Sequence, residues 1–151
     1  MSARERIAMT DAEAAAFLAA ERVLVVATIG RDGWPHLMPL WYVVRDGLPW
    51  ATTYAKAQKV RNLERDPRCT LQVEAGDRYD DLRGLMLKAE ALLERDPAVV
   101  EGVERAVFLR YHGREPDADE AAGLARQASK RVALRFLVRE RASWDHRKLA
   151  T

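Results

Sequence analysis

Hydrophobic positions recur along this chain in three rhythms. From Lys130 to Arg139 they alternate strictly, with Val132, Leu134, Phe136 and Val138 on one side, which predicts a strand with one buried face. Arg22 to Ile29, RVLVVATI, is a continuous β-branched run of strand length, suited to burial on both faces. Pro97 to His112 sets Val99, Val103, Val107 and Leu109 at helical spacing behind a first-turn proline, so a helix is predicted there despite Gly102.

The other elements fall between these. Thr10 and Glu13 have the spacing of a capping box before an alanine-rich run, which predicts a helix over 11–20. Further strands are predicted over 34–44, 48–53, 68–75 and 82–94, with turns at Gly30 to Gly33 and Arg45 to Gly47 and a polar loop at Gly76 to Asp81. The LKAEALL section of 82–94 suits a helix by propensity. Strand is preferred because Asp96-Pro97 begins a better helix just after it. Shorter helices are predicted over 56–65, stopped by Asp66-Pro67, and over 119–127. About six short strands, joined by hairpins and interrupted by helices, fit a closed or partly split antiparallel barrel, mainly β with peripheral helices. With 151 residues and no linker or repeat, a single domain over 1–151 is expected.

Charge narrows the partners. Lys and Arg number 25 against 23 Asp and Glu, a net charge of +2, so nucleic acid is not expected as the main partner. No apolar run reaches the roughly 18 residues of a bilayer span, and MSARERIAM lacks the apolar segment of a signal peptide, so a cytoplasmic protein with no membrane partner is expected. Cys69 is the one cysteine and reads as a buried strand thiol. No metal site is expected, because His36, His112 and His146 lie in three separate elements. Nucleotide-loop, nucleophile-elbow and zinc-protease motifs are all missing, leaving a ligand that carries its own chemistry.

Trp50 to Arg68, WATTYAKAQKVRNLERDPR, is the best candidate for holding such a ligand. Hydroxyls of Thr52 and Thr53, backbone N–H groups at a helix start and the charge of Lys56 or Lys59 together make a phosphate cradle. An amphipathic surface helix with a solvated basic face is the plain alternative.

Taken in order, Gly33-Trp34-Pro35, the LWYVV run, a Thr-Thr turn, KAQKVRNLERDP, YDDLRGLMLKAEALL and SWDHRKL resemble the pyridoxamine-phosphate-oxidase-like split-barrel family. Within it, the chain is most similar to the small actinobacterial type of flavin- and deazaflavin-dependent oxidoreductases. The resemblance implies a homodimer whose cofactor is held by the backbone of Met38, Pro39, Leu40 and Trp41. It puts the phosphate on Thr52, Thr53 and Lys59, with Lys56 as a second cation. Arg83 and Gly84 fall where a neighbouring strand of the family approaches the cofactor. Trp144, His146 and Arg147 are the counterparts of residues that the family brings to the substrate side from the partner subunit.

Two departures bear on activity. The strand-two arginine of the vitamin-oxidising members is replaced by Met38 or Pro39, and their extended C-terminal region is missing, so oxidation of pyridoxamine phosphate is not expected. The smaller deazaflavin-using relatives lack the same features, so the resemblance implies coenzyme F-420 in preference to FMN, with hydride transfer to a small organic acceptor. The alternative is a binding protein that stores flavin, haem or a bilin without turnover. Catalytic residues are not identifiable from the sequence.

Overall fold

A computed structural model describes residues 1–150. The chain runs α1 (Ala3–Ile7), α2 (Asp11–Ala20), β1 (Val23–Ile29), β2 (Pro35–Arg45), β3 (Leu48–Tyr54), α3 (Gln58–Arg65), β4 (Arg68–Ala75), β5 (Arg83–Glu94), α4 (Pro97–His112), α5 (Ala118–Ala128) and β6 (Arg131–Asp145). Six antiparallel strands close into a barrel in the order β1-β2-β3-β6-β5-β4. Closure removes the unpaired edges that an open sheet of these strands would expose. The β2–β3 turn is tight because Asp46 and Gly47 both take positive φ, 53° and 74°, matching the right-handed twist of the flanking strands.

Alternation fills the barrel. Leu24 and Val26 of β1, Tyr42 of β2, Ala51 of β3, Leu71 and Val73 of β4, Leu85 and Leu87 of β5, and Val132, Leu134 and Phe136 of β6 form one buried cluster. Phe17 and Leu18 of α2 and Val60 and Leu63 of α3 join it. The buried Tyr42 hydroxyl finds its partner at the Leu18 carbonyl, 2.6 Å away, tying α2 to β2. A second cluster lies outside the barrel. There α4 and α5 lay Val100, Val103 and Ala128 on Val43, Trp50 and Ala133.

Four expectations from the sequence need correction. The run in β1 is buried on one face only, with Val23 and Ile29 exposed and Val25 and Ala27 half-buried on the outward side. Thr52 and Thr53 form no turn but lie inside β3, in keeping with the strand expected over 48–53, so their side chains leave opposite faces of the sheet. Lys56 precedes α3, which starts at Gln58. The last strand runs on to Asp145, because the charged stretch after Val138 still pairs with β5, where Lys88 and Arg139 form ion pairs with Glu140 and Glu90. The short α1, closed by a capping box of Ser2 and Glu5, was not anticipated. The LKAEALL section does form strand, since ladders with β4 and β6 on both sides outweigh helix propensity.

Cys69 is buried, and burial pushes its thiol up to about 12. Thiolate, the reactive form, is correspondingly scarce near neutral pH. An aromatic disulfide reagent at pH 8 is expected to modify the native protein at least about a hundred times more slowly than the urea-unfolded chain. Comparable rates would place the thiol at the surface.

Candidate functional site

The outer face of the barrel and the α4–α5 pair border an open cavity of about 590 Å³. Pro39, Leu40 and Trp41 reach it from β2, Thr52 from β3 and Arg131 from β6. From α4 come Glu104, Phe108, Tyr111 and His112. Its upper walls are aromatic: Trp41 meets Tyr111 edge to face at 4.8 Å, and Phe108 lies against His112 at 4.0 Å. The floor is polar. Glu104, only 8% exposed, accepts a hydrogen bond from the Thr52 hydroxyl. Arg131 approaches the same carboxylate to 3.5 Å and stacks over Tyr54 at 4.4 Å.

Alternation in β3 sends the adjacent Thr53 to the barrel interior, where its hydroxyl accepts from the Lys59 ammonium at 3.1 Å. Lys59 is 7% exposed and forms no ion pair among the described residues. Burial, and then the nearby charge of Arg131, hold its pKa below the usual lysine value. Arg131 therefore acts electrostatically on both the cavity floor and Lys59. Asn62, fully buried one turn along α3, donates to Thr28 at 3.0 Å and accepts from Gln58 at 2.9 Å. The N-cap of α3, Ala57, contributes no side-chain hydrogen bond. Lys56 lies exposed in the preceding turn.

The structure thus gathers Pro39, Leu40, Trp41 and Thr52 on one cavity and Thr53 with Lys59 just inside the barrel wall. Met38 is 41% exposed and is not among the cavity-lining residues. The remaining candidates lie elsewhere. Arg83 donates to the Asp81 carbonyl at 3.2 Å, and Gly84 pairs across strands with Trp144. His146 Nδ1 sits 2.7 Å from the Tyr79 carbonyl, and Arg147 grips Asp145 with two bonds of 2.8 and 2.6 Å. Along β6, Arg131 and Trp144 are separated by roughly 40 Å of strand contour. Within one chain these two groups do not meet.

Sequence reasoning missed Glu104, Phe108, Tyr111 and Arg131. Glu104 carried a signal, because it interrupts the apolar stripe of Val100, Val103 and Val107 on α4. A carboxylate at a core position of a helix needs a partner or a ligand.

Residues 10–145 match the family described as pyridoxamine 5'-phosphate oxidase. No curated protein matches the chain. Among solved structures, a conserved hypothetical protein from Mycobacterium tuberculosis is 40% identical, with a TM-score of 0.91 over 100% of this chain and 94% of that one. A FAD-binding protein from Mesorhizobium loti is 18% identical, with a TM-score of 0.70 over 90% of this chain and 94% of that one. An F-420 reductase is 21% identical, with a TM-score of 0.60 over 83% of this chain and 93% of that one. The last two likenesses are of fold alone.

Proposed function

Because the chain belongs to the pyridoxamine 5'-phosphate oxidase family, we propose that it is an oxidoreductase that binds coenzyme F-420 or FMN and passes a hydride to a small organic acceptor. The observation that carries this reading is Lys59: a buried cation whose one hydrogen-bond partner among the described residues is the Thr53 hydroxyl, across β3 from the aromatic-walled cavity. A buried ammonium without a carboxylate is costly, and a phosphate group would compensate it. Thr53 and Lys59 would take the phosphate, with Lys56 as an outer cation. Thr52 belongs with the ring, because Glu104 beside it would repel an anion. Pro39, Leu40 and Trp41 would line the ring, and Met38 would add backbone contacts. The reduced coenzyme, when bound, supplies the hydride. The chain's own contribution is to orient the ring and keep water from its face.

Coenzyme F-420 is the preferred ligand. Its acidic tail would meet Lys56 and Arg61, neither of which forms an ion pair among the described residues. Arg65 is partly engaged by the Ile29 carbonyl and Asn62. Exposed pairs contribute about 0–1 kcal/mol each and are screened by salt. Titrations followed by visible absorption are expected to show tighter binding of F-420 than of FMN at low salt and a smaller difference at high salt. Tighter FMN binding at both salt concentrations would overturn the preference. No spectral change with either coenzyme would overturn the function.

A homodimer completes the reading. Cross-strand pairs Val23–Trp41, Val25–Pro39, Ala27–Leu37 and Ile29–Pro35 put an uncharged stripe on the outside of β1 and β2. Leu37 is 59% exposed, and the adjacent Trp34 is 75% exposed. Trp41 and Pro39 also line the cavity, so a second copy covering this stripe would border the cavity mouth. Trp144, His146 and Arg147 would reach the site from that second copy, on the substrate side, with Arg83 and Gly84 supporting them. Light scattering is expected to give about 34 kDa, twice the 17.1 kDa chain, and Leu37→Asp to shift the mass toward one chain. A wild-type mass near 17 kDa at micromolar concentration would count against the dimer.

A further inference from the structure

We infer that the cavity floor reads the imide edge of a flat heterocycle, with Glu104 accepting a ring N–H and Arg131 donating to the neighbouring ring carbonyl. This rests on the proposed function, in which a flavin or deazaflavin ring occupies the cavity.

Three observations carry it. First, Glu104 is buried within the apolar stripe of α4, yet its pairing inside the protein is incomplete. Its Oε1 receives the Thr52 hydroxyl and faces Arg131 Nε at 3.5 Å, too far for a hydrogen bond, while Oε2 has no hydrogen-bond partner among the described residues. Second, Arg131 Nε is buried and donates to none of the described residues. A buried donor left open beside a carboxylate oxygen with unfilled acceptor capacity is an expensive arrangement unless a ligand completes it. Third, the walls beside this floor are the faces and edges of Trp41, Tyr111 and Phe108, which suit a planar ring.

Charge decides between ligand classes. Glu104 and Arg131 cancel, so neither a simple anion nor a simple cation gains from the pair as a whole. A neutral edge that carries a donor next to an acceptor satisfies both. The N3–H of an isoalloxazine or deazaflavin, flanked by its C2 and C4 carbonyls, is such an edge. The Gln127 amide, also on the cavity wall, adds a donor for the second carbonyl.

The test compares FMN with 3-methyl-FMN by fluorescence titration of the full chain at pH 7. The two share the phosphate and differ only at N3, so Lys59 contributes equally to both. The methyl group is expected to weaken binding about ten-fold or more, the size of discrimination shown by sites built around a hydrogen bond. In Glu104→Gln the difference is expected to shrink. The wild-type comparison of the two compounds does not depend on that variant's folding. Equal binding of the two compounds, or binding of neither compound, overturns the inference. If FMN binds but ignores the methyl group, the inference alone fails. If neither FMN nor F-420 binds, the proposed function fails with it.

Discussion

Gly84→Ala is expected to cost about 2–3 kcal/mol of stability, the range for overpacking a filled site, and to lower Tm by about 4–12 °C for a chain of this size. A Cβ on Gly84 would stand 2.4 Å from Trp144 Cζ2 and 2.7 Å from the Val73 carbonyl oxygen. The indole is a side chain and can swing away. The carbonyl cannot, because Val73 and Leu85, and Glu74 and Gly84, are register partners in the β4–β5 ladder. The strain therefore survives the loss of the ring contact. Trp144→Ala in the same background is expected to recover part of the cost, so that the double variant loses at least about 0.5 kcal/mol less than the sum of the single ones. Thermal denaturation of the four proteins measures this. Strict additivity would mean that the ring does not bear on Gly84, and an unchanged Tm for Gly84→Ala would mean that the ladder yields.

The same pair shows where sequence reasoning reaches its limit. The resemblance places Gly84 where a strand approaches the cofactor, and within this chain what lies against it is Trp144 of the neighbouring strand. Local sequence carries the need for space without the identity of the neighbour, which depends on register sixty residues away. Barrel strands were legible for the opposite reason. Alternation in β6 and β4 encodes burial directly, so most of the strands could be placed before their pairing was known. Thr52 and Thr53 fall between these cases. Their residue types suggested an anion site, yet only the strand geometry separates them, giving Thr52 to Glu104 and Thr53 to Lys59. The α4 contribution was half legible: Glu104 stands out in an apolar stripe, but its neighbours Thr52 and Arg131 belong to strands that only tertiary contact brings to it.

Lys59→Met is expected to move stability and ligand affinity in opposite directions. Burial and the charge of Arg131 both disfavour the Lys59 ammonium in the folded protein, while in the unfolded chain it is solvated. Methionine fills similar space without that cost, so Tm of the ligand-free variant is expected to rise at neutral pH. The pH dependence has a definite sign. Because the folded pKa lies below the unfolded one, the unfolded state holds more protons between the two values, and the wild type gains stability as pH climbs through that alkaline window. The variant lacks the gain. Affinity for a phosphorylated flavin or deazaflavin, by contrast, is expected to fall about 10- to 150-fold, corresponding to the roughly 1.5–3 kcal/mol of a charge-assisted hydrogen bond. A lysine kept only for packing would give the first change without the second. Undiminished affinity in a variant that folds and melts normally would move the phosphate away from Lys59, while a drop in both Tm and affinity would make its role structural.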